Sequence, residues 1–188
     1  MMAARPEAVV IGASAGALEA LSIILHVLPG NFRMPIIVVV HVPPDKRSIL
    51  AELFRAKCQL SVQEADDKEP IAGGTVYFAP ADYHLLVESN KTLSLSSDEP
   101  VLFSRPSIDV LFESAADAYG MSLIAIVLTG ANHDGAKGLR TVVDAGGAAI
   151  VQDPDSAFAD AMPKAAIEMC PRARVLSLQA IAQYLKEV

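Results

Sequence analysis

Apolar residues fall into two kinds of run along the chain. Residues 8–11 form a short continuous apolar stretch, and the small residues Gly12 to Gly16 follow it. The leucines after this stretch stand three or four positions apart: Leu18, Leu21, Leu25 and Leu28. A continuous apolar run is typical of a buried strand, and the wider spacing is typical of one face of a helix. The pattern predicts a strand, a tight turn and a helix.

The same strand-then-helix order recurs. Residues 36–40 form a β-branched run that His41 closes, and helical spacing follows from Ile49 to Phe54. An amphipathic stripe from Ile108 to Tyr119 predicts a helix that Ser107 caps. Beyond it we predict strands at 122–128 and 148–151, and helices at 134–145, near 163–169 and around 178–185.

The middle of the chain has a different pattern. Short strand-like runs at 75–79, 85–89 and 92–96 are separated by glycine, proline and asparagine, and the last two runs predict an antiparallel hairpin. Alternating strands and helices elsewhere favour a parallel sheet covered on both sides. We therefore expect one three-layer α/β/α domain over residues 1–188, with a mostly parallel, doubly wound sheet and one antiparallel hairpin.

Composition narrows the possible partners and location. The 188 residues carry 15 Lys and Arg against 22 Asp and Glu, a formal charge of -7, which argues against nucleic acid as a partner. Apolar runs fall short of the roughly 20 residues that a membrane-spanning helix requires, so membrane insertion is not expected. Cys58 and Cys170 match neither a zinc spacing nor a disulfide framework, which favours a reducing cytoplasm.

Three polar residues follow predicted parallel strands: Ser14, His41 and Asp134. The carboxyl ends of such strands share one crevice. A serine hydroxyl needs a base in contact, an imidazole suits that task, and a carboxylate on its far side would fix the tautomer. The sequence therefore predicts Ser14 as nucleophile, His41 as base and Asp134 as the orienting carboxylate.

The turn around Ser14 fits the G-x-S-x-G pattern, in which a sharp strand-to-helix turn exposes the serine beside free helix amides. Backbone amides near Ser14 and at Ala15 and Ala131 are candidate donors to a developing oxyanion. Neither a metal nor an organic cofactor is expected, because His84 and His133 belong to no recognisable metal-binding motif.

Simpler interpretations of each residue stay open at this point. A glycine-rich turn often binds phosphate through its amides while its serine caps the helix. His41 alone would be a hydrogen-bonded residue at a strand end, and Asp134 alone a carboxylate at a helix N-terminus. A dinucleotide site is disfavoured, because Ser14 stands where its motif requires glycine.

Several separated segments resemble one known family, the chemotaxis-specific protein-glutamate methylesterases of the CheB type. The resemblance spans about residues 9–167. Its motifs are Ile11-Gly-Ala-Ser14 with Glu19-Ala20, His41-Val-Pro-Pro44, Phe78-Ala-Pro80 with Asp82 and His84, Arg105-Pro-Ser-Ile-Asp-Val-Leu-Phe112, Leu128-Thr-Gly130 with Asp134-Gly-Ala136, and Met162-Pro163.

The resemblance implies the same triad of Ser14, His41 and Asp134. It also implies a substrate, methyl-esterified glutamates on the cytoplasmic helices of chemotaxis receptors, and in many members the deamidation of receptor glutamines. Ala15 and Ala131 depart from residues common in the family, so a receptor- or anion-binding module without turnover is the alternative. A typical member also carries a receiver domain. We expect none here, and regulation would then come from a separate domain or protein.

Overall fold

The computed structural model describes residues 4–42 and 48–188. Pro43 and Pro44 of the predicted His41 motif lie outside these residues. Seven strands form one parallel sheet in the order β3-β4-β2-β1-β7-β8-β9. The strands are β1 (Ala8–Ala13), β2 (Ile36–Val40), β3 (Ser61–Glu64), β4 (Thr75–Phe78), β7 (Leu123–Val127), β8 (Ala148–Gln152) and β9 (Arg174–Leu176).

Helices cover both faces of this sheet. They are α1 (Ala17–Leu25), α2 (Leu50–Arg55), α3 (Ile108–Tyr119), α4 (Ala136–Asp144), α5 (Ala161–Met169) and α6 (Leu178–Glu187). On one face Leu21 of α1, Phe54 of α2 and Ile181 of α6 share a hydrophobic core. On the other, residues such as Phe112 of α3 and Leu139 of α4 form a second core. The predicted three-layer, doubly wound architecture is confirmed.

The predicted hairpin is also confirmed. Strands β5 (His84–Val87) and β6 (Leu93–Ser96) pair antiparallel, with Leu85 opposite Leu95. Leu85 and Leu93 belong to the same core as the apolar stripe of α3. The hairpin is therefore attached to the α3 side of the sheet, close to the segment that leads into that helix.

Several predicted details differ from the structure. Leu18 and Ile49 are about half exposed, because Ala17, Ala20, Ala51 and Phe54 supply the buried positions instead. The helix predicted from residue 134 begins at Ala136, and residue 122 lies in a short 3-10 turn before β7. Strands β3 and β9 were not predicted. Among the described residues, no helix is long and apolar enough to span a membrane.

Candidate active site

Ser14 stands immediately after β1, the central strand of the sheet. Its amide donates to Thr129 O (2.9 Å), and the Ala17 amide donates to Ser14 O (3.0 Å), which closes a tight turn into α1. Gly12 is required here because a β-carbon would overlap Ile108 of α3. Gly16 has a φ of 85°, so the left-handed conformation in this turn belongs to the glycine and not to Ser14.

The structure brings His41 and Asp134 into direct contact. His41 follows β2, and Asp134 lies in the loop between β7 and α4. The Nε2 atom of His41 is 2.7 Å from Oδ2 of Asp134, and the His41 side chain is 13% exposed while that of Asp134 is fully buried. Because a carboxylate accepts hydrogen bonds, Nε2 carries the proton in this contact.

Asn132 determines the protonation of the other imidazole nitrogen of His41, Nδ1. The Oδ1 atom of Asn132 accepts a hydrogen bond from the Asp134 amide (3.1 Å), which directs its Nδ2 atom to His41 Nδ1 at 3.2 Å. An amide NH₂ group donates, so Nδ1 is the unprotonated nitrogen. His41 thus presents a lone pair on Nδ1 and a proton on Nε2, the tautomer that a general base with an orienting carboxylate requires.

Asp134 binds the N-terminus of α3. Its oxygens accept hydrogen bonds from the amides of Ile108 (2.6 Å) and Asp109 (3.0 Å) and from the Ser107 hydroxyl (3.0 Å). Burial alone raises the pKa of Asp134, but the hydrogen bonds from His41 and these two amides outweigh it and lower the pKa below its usual 3.8. The carboxylate therefore stays charged beside the imidazole.

A second buried carboxylate lies in the first turn of α3. Oδ1 of Asp109 accepts hydrogen bonds from the amides of Gly135 (3.0 Å) and Gly138 (2.7 Å), at the N-terminus of α4. Burial raises the pKa of Asp109 to about 6, and the nearby charges of Asp134 and Glu113 add to the rise, while the two amides oppose it. The two aspartates thus bind each other's helix N-termini.

Ser14, His41 and Asn132 line one cavity of about 390 Å³ at the carboxyl end of the sheet. Within the described ranges, no group hydrogen-bonds to the Ser14 hydroxyl, so the structure does not join Ser14 to His41 directly. Ala15 and Ala131 are the chain neighbours of Ser14 and Asn132. Among the described residues, no acceptor receives a hydrogen bond from the amide of either alanine. Both amides are therefore free to bind an anionic ligand.

The structure argues against a helix-capping role for Ser14 and against metal binding by His84 and His133. Ser14 does not cap α1, whose N-cap is Gly16 without a side-chain hydrogen bond. His84 is buried, with Nε2 donating to Glu99 O (2.9 Å) and Nδ1 accepting from the Ser107 amide (3.1 Å), so its role is structural. His133 is exposed, and no metal-binding cluster of His, Cys, Asp or Glu occurs in the residues that the structure describes.

Sequence reasoning missed two residues of this site, Asn132 and Asp109. Asn132 lies two positions before Asp134, the spacing at which an asparagine side chain commonly accepts from the backbone. This local signal was available. The role of Asp109 depends on a helix N-terminus 26 residues away, which no local pattern reveals.

Comparisons with known proteins agree with this architecture. The family model described as CheB methylesterase matches residues 9–185. A Leptospira interrogans protein named "Putative protein-glutamate methylesterase/protein-glutamine glutaminase" is 48% identical over 177 residues, 94% of this chain and 92% of that protein. A Rhodospirillum rubrum protein-glutamate methylesterase/protein-glutamine glutaminase is 38% identical over 190 residues, 96% of this chain and 48% of that protein. The crystal structure of the Thermotoga maritima CheB methylesterase catalytic domain matches with a TM-score of 0.92 and 36% identity, covering 98% of this chain and 99% of that one.

Proposed function

The chain belongs to the CheB methylesterase family, and we propose that it hydrolyses methyl esters of glutamate side chains on the cytoplasmic helices of chemotaxis receptors. The observation that carries the proposal is the 2.7 Å contact between His41 and a buried, charged Asp134, in a crevice that Ser14 also lines. A charged carboxylate fixes a neutral imidazole with one free lone pair, which is the arrangement that activates a serine.

In the first half of the proposed reaction, the Ser14 hydroxyl oxygen attacks the ester carbonyl carbon. Its proton passes to Nδ1 of His41, the nitrogen that carries the lone pair, while Nε2 keeps its hydrogen bond to Asp134. The negative charge that develops on the carbonyl oxygen is held by the Ala15 and Ala131 amides. When the tetrahedral intermediate collapses, His41 returns the proton to the leaving methoxide, and methanol departs.

In the second half, a water molecule attacks the acyl-enzyme with His41 again accepting the proton. The Ser14 ester then breaks, Ser14 regains its proton from His41, and the glutamic acid side chain is released and loses its remaining proton to solvent. The same sequence applied to a glutamine side chain would release ammonia in the first half. Deamidation of receptor glutamines is therefore part of the proposal.

Rotation of Ser14 is a requirement of this mechanism. Its hydroxyl must displace the Asn132 amide from Nδ1 of His41, where Asn132 now donates at 3.2 Å. The missing contact between Ser14 and His41 is also what favours the alternative function, a receptor- or anion-binding module without turnover. We also propose a cytoplasmic location and control by a separate domain or protein.

Methanol release from methylated receptor membranes tests the proposal. We expect Ser14→Ala and His41→Ala each to abolish release, and the double variant to lose no more than either one, because the two side chains act in one step. Matched controls are Ser22→Ala and His26→Ala, which alter a half-buried serine and an exposed histidine at α1, outside the crevice lining. Near-normal turnover by a folded Ser14→Ala variant would contradict the triad, and no turnover by the unaltered protein would favour the binding module.

A further inference from the structure

A tight turn at Val101 to Ser104 has unusual residues at its centre. The Val101 amide donates to Ser104 O (3.0 Å) and the Ser104 amide donates to Val101 O (2.8 Å), so Leu102 and Phe103 form a two-residue hairpin loop. Both have a positive φ, 48° and 64°. A loop with two positive φ values normally contains Asn and Gly, because larger side chains crowd the backbone there.

Burial offsets this strain only in part at Leu102 and not at all at Phe103. Leu102 is 53% exposed, and Phe103 is fully exposed at 104%. A bulky apolar pair is therefore unfavourable here for both the backbone and the side chains. Strained backbone that the surrounding structure retains is found mostly at sites of function.

The base of this turn is firmly held. The guanidinium of Arg105 donates to Oδ1 of Asp82 from Nε (3.1 Å) and Nη2 (2.7 Å), and to the backbone oxygens of Ser97 (3.0 Å) and Asp98 (3.1 Å) from Nη1. The buried His84 donates to Glu99 O on the same segment. These contacts fix the approach to the turn, so its tip is presented in a defined position.

The tip stands between two depressions of the surface. Phe103 lines the catalytic crevice together with Ser14 and His41. Leu102 lines a neighbouring groove of about 1040 Å³ beside α4 and α5, whose wall includes apolar side chains such as Ala165 and Met169. Leu102 and Phe103 therefore lie on the border between the two depressions, as do the neighbouring residues Asn132 and His133.

We propose that Leu102 and Phe103 are specificity-determining residues that dock the helix carrying the esterified glutamate. This inference rests on the proposed function. Residues three and four positions away from the ester lie on the same helix face, one turn distant. With the ester in the crevice beside Ser14, apolar side chains one turn away would meet Phe103 and Leu102, and the helix would continue along the groove.

The test replaces the pair by the residues that such a turn favours, Leu102→Asn with Phe103→Gly. The double variant should be at least as stable as the unaltered protein in thermal unfolding, because the strain is relieved. Its kcat/KM for methylated receptor membranes should fall about tenfold, mainly through KM. The loss for a small soluble ester should be several times smaller. Met121→Ala is the matched control, since Met121 is also exposed (68%) but lies where β7 begins, away from the crevice.

Co-sedimentation with methylated receptor membranes in a Ser14→Ala background separates docking from catalysis. Adding the double substitution should weaken sedimentation about tenfold, and this holds even if turnover itself is never observed. Equal losses for receptor and small ester would show that the pair shapes the crevice only. Unchanged receptor kinetics and sedimentation, or an effect confined to self-association, would also overturn the inference.

Discussion

Two buried aspartates, Asp134 and Asp109, occupy matching positions in the structure. Asp134, just before α4, accepts amide hydrogen bonds from the start of α3, and Asp109, at the start of α3, accepts them from the start of α4. Both side chains are buried and both lie at a helix N-terminus, where the helix dipole favours negative charge. Their environments nevertheless change the pKa in opposite directions.

The difference lies in the partners beyond the amides. Asp134 has two additional donors, His41 Nε2 and the Ser107 hydroxyl, and its pKa is lowered. Among the described residues, the donors to the Asp109 carboxylate are two amides. Asp109 also faces the charges of Asp134 and Glu113, and its pKa is raised to about 6, chiefly by burial. A helix N-terminus alone therefore does not keep a buried carboxylate fully charged. The histidine contact does, and this marks Asp134 as the one suited to support a base.

The largest effect is expected for Asp134→Asn. An amide in place of the carboxylate offers His41 Nε2 the wrong partner or favours the wrong tautomer, and kcat should fall by about 10⁴ with the fold retained. Stopped-time assays of methanol release measure the loss. Asp144→Asn, at an exposed aspartate that lines neither the crevice nor the groove beside α5, is the control. A loss below about tenfold would mean that Asp134 acts as a helix-terminal carboxylate only.

Asp109→Asn should have a smaller effect on kcat, about tenfold or less, because the Asp109 carboxylate accepts from the Gly135 and Gly138 amides, whereas His41 contacts Asp134. Its clearer signature is in stability. The folded-state pKa of about 6 exceeds the ordinary 3.8, so the stabilising contribution of Asp109 is fully present below about pH 4 and is lost as the pH rises through about 6. The variant lacks this titration. Its free energy of unfolding, relative to that of the unaltered protein, should therefore be higher at pH 8 than at pH 4 by up to about 3 kcal/mol.

Urea unfolding of Asp109→Asn and the unaltered protein between pH 4 and pH 8 measures this difference. The stability of the variant minus that of the unaltered protein should be larger at pH 8 than at pH 4. Parallel profiles would show that Asp109 titrates normally. Asp134 changes stability in the opposite sense, since its lowered pKa gives a contribution that is present at neutral pH and lost as the pH falls below about 4.

Ser107→Ala should have the smallest effect of the three. It removes the hydroxyl donor to Asp134 and the cap on the Val110 amide, and should lower the free energy of unfolding by about 0.5–2 kcal/mol. Turnover should fall a few-fold as Asp134 loses one of its donors. Ser177→Ala removes the comparable cap of α6, and Ser177 does not line the crevice. It should match the stability loss but leave kcat unchanged, and an equal kcat loss in both variants would contradict a role for Ser107 in positioning Asp134.

Prediction from the sequence succeeded where burial or chain order carries the signal. Strands β1, β2 and β7 are buried throughout, so continuous apolar runs identified them and placed Ser14 and His41 at their ends. Edge strands β3 and β9 have mostly exposed or half-exposed residues and left no such run. Strand-end reasoning also selected Asp134, although a loop of several residues separates it from β7.

Contacts between segments far apart in the chain could not be predicted from the sequence. Asp134 accepts a hydrogen bond from the N-terminus of α3, and Asp109 accepts one from the N-terminus of α4. These bonds form because α3 and α4 pack side by side, which no local pattern encodes. The turn at Leu102 and Phe103 was missed for the opposite reason, since its residues contradict the chemistry of such turns. Local rules failed there, at the tip to which we assign substrate docking.

Labelling of the nucleophile tests the triad of Ser14, His41 and Asp134 more directly than turnover does. The protein is treated with a serine-reactive organophosphonate, and the modified residue is located by mass spectrometry of its proteolytic peptides. We predict one adduct, on Ser14, formed rapidly in the unaltered protein and greatly slowed in His41→Ala and Asp134→Asn, because the hydroxyl is activated through those two residues. An adduct on another serine, or labelling of Ser14 at the same rate in all three proteins, would contradict the triad.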